Sequence, residues 1–170
     1  MSDTKILVVE DESIVANDIL NMLLTLKYKV TGVVQTASEA IENSRKEKPH
    51  LVLMDIMLQG KTTGITAAEI IYTKHNIPIV YLTSYTDETT LDRAKKTEPF
   101  GYLLKPFEER ELKTTIEIAL YKFKMEMKLK NRERFLTTIL DGIDDGVIAT
   151  DKEGAISFIN PYAEKLTMCK

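Results

Sequence analysis

Three apolar runs punctuate the first half of the chain without a polar break: Ile6-Leu7-Val8-Val9, Leu51-Val52-Leu53-Met54 and Ile79-Val80-Tyr81-Leu82. Such runs lack the alternation of a half-exposed strand, so each reads as a strand buried on both faces. Residues 28–34 read as another strand, and Tyr102-Leu103-Leu104 as a fifth. Between these runs the apolar positions return at helical spacing. Ile14, Ile19, Leu20, Leu23 and Leu24 mark a helix over 13–26. Thr36-Ala37-Ser38-Glu39 is a capping-box pattern that opens a helix to about Lys48, where Pro49-His50 breaks it. A polar loop over 59–64 leads into a helix that runs to about Thr73, and Asp87 to Lys96 reads as a short helix with an acidic first turn.

Strand and helix thus alternate five times. That order predicts an α/β fold: a parallel sheet with helices on both faces, joined by right-handed crossovers. A further helix starts near Glu108 and meets no stop signal before Gly142. Leu112, Ile116, Ala119, Phe123 and Met127 form a heptad-like seam along it. The charged stretch from Lys128 to Arg134 interrupts the seam, and Phe135, Leu136, Ile139 and Leu140 resume an apolar face. Gly146 to Asp151, a turn at Lys152-Glu153-Gly154, and Ala155 to Asn160 read as a hairpin, with a helical piece beginning at Pro161. The expected division is a first domain over 1–122, a coiled-coil-like helical linker over 123–143 and a partial α+β segment over 144–170.

Composition narrows the class. The chain has 170 residues, 44% hydrophobic and 29% charged, enough for one packed domain and part of another. Its net charge of -3 argues against nucleic acid as a bulk electrostatic partner. The single cysteine, Cys169, has no internal disulfide partner. Met1-Ser2-Asp3-Thr4-Lys5 leads into too short an apolar run for a signal peptide. No run approaches the roughly 20 apolar residues that span a bilayer, so no membrane association and a cytoplasmic location are expected. His50 and His75 read as solvated loop or helix-end residues, since neither has a partner at metal-ligand spacing. The lysines from Lys122 to Lys130 read as a solvated helix face.

The strand ends carry the chemistry. Successive runs stop at Glu10-Asp11, at Asp55, at Thr83 and at Lys105. In a parallel sheet all carboxyl ends share one edge, where open α/β folds place their sites. Three crowded carboxylates repel, and a divalent cation relieves that; oxygen ligands suit Mg²⁺. A carboxylate beside Mg²⁺ can accept a phosphoryl group. Lys105 would then be a point charge for phosphoryl oxygens, and the Thr83 hydroxyl a hydrogen-bond donor to them.

These residues sit in four motifs: Val8-Val9-Glu10-Asp11-Glu12, Leu51-Val52-Leu53-Met54-Asp55-Ile56-Met57, Tyr81-Leu82-Thr83-Ser84 and Gly101-Tyr102-Leu103-Leu104-Lys105-Pro106-Phe107. In this order they resemble the receiver domain of two-component response regulators, over about residues 4 to 122. The resemblance implies a flavodoxin-like, doubly wound five-stranded sheet in the order 2-1-3-4-5. It implies that Asp55 accepts a phosphoryl group from a partner histidine kinase or phosphotransfer protein. Glu10, Asp11, Asp55 and the backbone carbonyl of Met57 would hold Mg²⁺. Thr83 and Tyr102 would be the switch pair, Lys105 the phosphate contact, and Lys105–Pro106 a cis bond. Such a domain is not a conventional enzyme; it promotes only its own phosphorylation and dephosphorylation. Leu58 stands where many receivers carry a proline.

The tail, Arg134 to Met168, is similar to the opening of a PAS sensor domain on the strength of Gly146-Val147-Ile148-Ala149-Thr150-Asp151 and Ile156-Ser157-Phe158-Ile159-Asn160-Pro161. Only two strands and a helix start are present, so this segment is incomplete. A homodimer through the C-terminal helix is expected, with the tail packed on a neighbouring chain or back on its own helix. Two other functions compete. A Mg²⁺-dependent aspartyl-phosphate phosphatase would need a second Asp two residues after the nucleophile, and position 57 is Met. A flavodoxin-like nucleotide binder would need a small-residue phosphate loop where Glu10-Asp11-Glu12 stands.

Overall fold

In the computed structural model the five apolar runs become β1 (Lys5–Val9), β2 (Lys29–Val34), β3 (Leu51–Asp55), β4 (Ile79–Thr83) and β5 (Gly101–Leu104). Residues 3–58, 63–84, 97, 99–143 and 145–168 are described. The strands form one parallel sheet in the order β2-β1-β3-β4-β5. The sequence alone predicts this order through its resemblance, and the fold is flavodoxin-like.

The lack of alternation in the central strands has a direct cause. On one face Leu7, Val9, Val52, Met54, Ile79 and Tyr81 pack against helices α2 (Ala37–Glu47) and α3 (Gly64–His75). On the other face Ile6, Val8, Leu51, Leu53, Val80 and Leu82 meet α1 (Ser13–Thr25) and the start of α4 (Glu109–Asp141). Successive side chains point to opposite faces of a strand, so a strand with two covered faces must be apolar at every position. The Thr36–Glu39 capping box forms as the sequence predicts: Glu39 N donates to Thr36 Oγ1 at 3.3 Å, and Thr36 N to Glu39 Oε2 at 3.1 Å. The helix expected at 87–96 and positions 59–62 of the polar loop lie outside the described residues.

The 33-residue helix α4 changes the reading of the heptad-like seam. Leu112, Ile116 and Ala119 are fully buried on the sheet. Phe123 meets Phe100 edge-on, with ring centroids 5.5 Å apart. Leu112, Ile116 and Ala119 are thus core, and Phe123 packs partly buried at its edge. Among the described residues, the large apolar ones that α4 leaves in solvent are Ile118, Tyr121, Met125, Leu129, Phe135, Leu136 and Ile139; Phe135 lies to one side of the others. At 100° per residue those others share a stripe on roughly the opposite side of the helix.

Contacts divide the chain into Met1–Phe123 and Lys124–Lys170. The second unit holds the rest of α4, an antiparallel hairpin of β6 (Ile148–Thr150) and β7 (Ile156–Ile159), and α5 (Pro161–Thr167). Asn160 is its fully buried hub. Its Oδ1 accepts from Val147 N and Ala163 N, at 2.9 and 3.0 Å; its Nδ2 donates to the carbonyls of Leu140 and Asp145, both at 3.0 Å. One side chain therefore caps α5, anchors the hairpin and ties both to the end of α4. Among the described residues no helix is long and apolar enough to cross a membrane.

Candidate functional site

The carboxyl edge of the sheet brings together residues far apart in the chain. β1 pairing continues one step past Val9, because Glu10 N donates to Val34 O at 3.0 Å. That draws the Glu10 side chain into the edge, where it is fully buried. Asp55 closes β3 and is 6% exposed. Lys105 N donates to Thr83 O at 2.8 Å, extending β5 alongside β4 in the same way. The Lys105 ammonium then bridges two carboxylates, 2.5 Å from Glu10 Oε2 and 2.6 Å from Asp55 Oδ2. The Lys105–Pro106 bond is cis, as the resemblance implies.

Glu10, Asp11 and Asp55 each offer a carboxylate oxygen, and these oxygens lie within 4.8 Å of one another. Three formal negative charges face one formal positive charge. An all-oxygen, net-negative pocket suits a hard divalent cation such as Mg²⁺. Burial pushes the Glu10 carboxyl up to about 7; the Lys105 hydrogen bond opposes this and the Asp55 charge adds to it. Burial also disfavours the Lys105 ammonium, but its bonds to Asp55 and Glu10 outweigh that and hold its pKa above the ordinary value.

The remaining predicted positions are nearby in sequence terms but arranged differently. Met57 meets Asp55 through its backbone N–H, which donates to Oδ1 at 2.8 Å, while its side chain points to solvent. Thr83 ends β4 and turns its hydroxyl along its own backbone, donating to Ser84 O at 3.2 Å. Tyr102 lies opposite Tyr81 on β5, 36% exposed, with the two rings 5.9 Å apart.

Gly64 was not singled out by sequence reasoning. A Cβ at this first residue of α3 would collide with the backbone carbonyl of Asp55 and press on that of Ile56. The requirement is for space, so that α3 can start directly against the end of β3. A glycine in a first helical turn, where it weakens the helix, was the signal available.

The profile of the response regulator receiver domain matches residues 6–117, most of the chain, on this same sheet and edge. The chain belongs to that family. The transcriptional regulatory protein PdtaR of Mycobacterium tuberculosis is 34% identical over 120 residues, covering 71% of this chain and 58% of its own length. The chain thus spans a little over half of that relative. The signal receiver domain of a modulated diguanylate cyclase from Desulfovibrio desulfuricans G20 is 37% identical, with a TM-score of 0.71 over 74% of this chain and 99% of its own. The N-terminal domain of a response regulator/sensory box/GGDEF three-domain protein from Carboxydothermus hydrogenoformans is 31% identical, with a TM-score of 0.66 over 73% and 99%. Receiver domains of this family are phosphorylation signalling switches that partner with histidine kinases, and the acidic edge formed by Glu10, Asp11 and Asp55 is consistent with that class.

Proposed function

We propose that Asp55 accepts a phosphoryl group from a phosphohistidine and that the change is relayed through Thr83, Tyr102 and α4. The observation that supports this most is the bonding of the Asp55 carboxylate. Oδ1 is held by the backbone N–H of Met57, whereas Oδ2 is held by the flexible Lys105 side chain. Oδ2 is the oxygen that can be uncovered. It attacks phosphorus, the P–N bond to the donor imidazole breaks, and its electron pair stays on that nitrogen. An acyl phosphate remains on Asp55. Lys105 moves from Oδ2 to the phosphoryl oxygens while Glu10 keeps it in place.

Glu10, Asp11, Asp55 and the Met57 carbonyl would hold Mg²⁺, which when bound offsets the carboxylate charge and stabilises the phosphoryl oxygens. The donor has a seat beside Lys105. A cleft of about 350 Å³ between α1 and the turn after β5 is lined by Val15, Ile19, Met22, Pro106 and Phe107. Ile14, 80% exposed on α1, adds apolar surface for a histidine-bearing partner.

The new charge gives the Thr83 hydroxyl a stronger acceptor than the Ser84 carbonyl. Thr83 turns toward it, and Tyr102 turns inward against Tyr81. On the output side the exposed stripe of α4, from Ile118 to Ile139, supports a parallel pair with a second chain. Burying each such side chain contributes roughly 1.5–3 kcal/mol. Lys128 and Arg132 interrupt the stripe, which keeps the pair modest. The hairpin and α5 we read as the opening of a PAS-like sensory module. The Carboxydothermus relative, in which a receiver precedes a sensory box, supports that order of parts.

Acetyl phosphate with Mg²⁺, followed by intact-mass measurement, tests the chemistry. The chain should gain one phosphoryl group and Asp55→Asn none; undiminished labelling of that variant overturns the assignment. Thr83→Ala should still be labelled, yet its hydrogen exchange at Tyr102 should no longer respond. A normal response there would sink the relay.

A further inference from the structure

The opposite edge of the same sheet carries a second concave site. A cleft of about 590 Å³ lies at the amino ends of the strands, within the volume range of small-molecule pockets. Its rim is basic. Lys48 ends α2, and Lys74 and His75 close α3. His50 stands at the entry to β3 and accepts a hydrogen bond from Lys5 N at Nδ1, 3.0 Å away. Its neutral ring therefore carries the proton on Nε2, a donor. No carboxylate lines the cleft among the described residues.

The other wall is apolar and comes from α4. Leu120 and Phe123 line it, at the point where that helix leaves the first unit. Cations at helix ends alone would be explained by the helix dipole. The dipole does not explain a partly buried phenyl ring and a leucine lining the same cavity.

We propose that this cleft binds a small organic anion with a planar ring, of nucleoside-monophosphate type. The anionic group would meet Lys48, Lys74 and the His50 Nε2–H, and the ring would lie against Leu120 and Phe123. Binding holds the exit of α4 and so offers the receiver a second input, independent of Asp55.

Adenosine monophosphate, inorganic phosphate and adenosine serve as probes in amide NMR titrations of the full chain without Mg²⁺. The monophosphate should move the amides of 48–50, 74–78 and 120–123. Phosphate and adenosine should each bind about tenfold more weakly or worse, because each lacks half of the recognition. Lys48→Glu with Lys74→Glu should weaken the monophosphate at least about tenfold, while the chain stays folded at a melting temperature lowered only by the lost helix-end charges. Phe123→Leu should weaken the monophosphate and leave phosphate as it was. Asp55→Asn should bind like the parent chain. No shifts, shifts confined to the Asp55 edge, equal binding of phosphate alone, or undiminished binding by the double lysine variant would each overturn the proposal.

Discussion

The two units of this chain use apolar residues in opposite ways. In Met1–Phe123 most of them are gathered into two clusters, one on each face of the sheet, and a minority such as Ile14 and Met57 stay exposed. In Lys124–Lys170 no large apolar side chain among the described residues is fully buried, and Phe135, Leu136, Ile156 and Leu166 are 66, 59, 59 and 66% exposed. What organises the second unit is polar, the four hydrogen bonds of Asn160. A hydrogen bond nets roughly 0.5–1.5 kcal/mol, far less than a buried core. The first unit has a core on both faces of its sheet, whereas the second, among the described residues, has little core of its own.

The largest expected contrast is between two positions on the same helix. Ile116→Ala opens a cavity in the sheet core and should lower stability by about 2–5 kcal/mol in a denaturant melt. Leu129→Ser should leave that melt within about 0.5 kcal/mol, but lower the dimer fraction in sedimentation. If Leu129→Ser instead destabilises the monomer, the exposed stripe is not a free surface.

Gly64→Ala comes next. The added methyl meets the Asp55 carbonyl, and overpacking of this kind costs about 1–3 kcal/mol. Because the displaced backbone carries Asp55, phosphorylation by acetyl phosphate should slow as well. Wild-type labelling at reduced stability would separate the helix start from the site.

Asn160→Ala should act on the second unit alone. Exchange protection at Val147 and Ala163 should fall while the main transition of the first unit stays put. A shift of that transition would mean the two units fold as one.

The last test is a pH dependence in the metal-free protein. Glu10 titrates near 4.5 when unfolded and is pushed up to about 7 in the fold. Between those values the folded state holds a proton that the unfolded state has released, so stability falls as pH rises through that window. Above it the cost is complete and the curve flattens. Mg²⁺ requires the charged carboxylate, so its binding should release a proton below about pH 7 and weaken as pH falls. Calorimetry in buffers of different ionisation enthalpy measures that proton; none released would mean Glu10 is already charged.

Much of this was legible in the residues themselves. Unbroken apolar runs announce strands with two covered faces, and Thr36 with Glu39 announces a helix start, because both patterns are local. The edge residues Glu10, Asp11, Asp55 and Lys105 were legible too, since parallel strands must end together. Tertiary structure alone decided how those residues bond. That Lys105 bridges Glu10 to Asp55 depends on where its ammonium comes to rest, 95 positions along the chain from Glu10. The role of Gly64 depends on how closely α3 approaches the end of β3. The stripe Leu112, Ile116, Ala119 and Phe123 shows the limit most clearly. A periodic apolar face says that something covers it; whether the cover is a partner helix or the chain's own sheet is set by packing between distant segments, which no local spacing encodes.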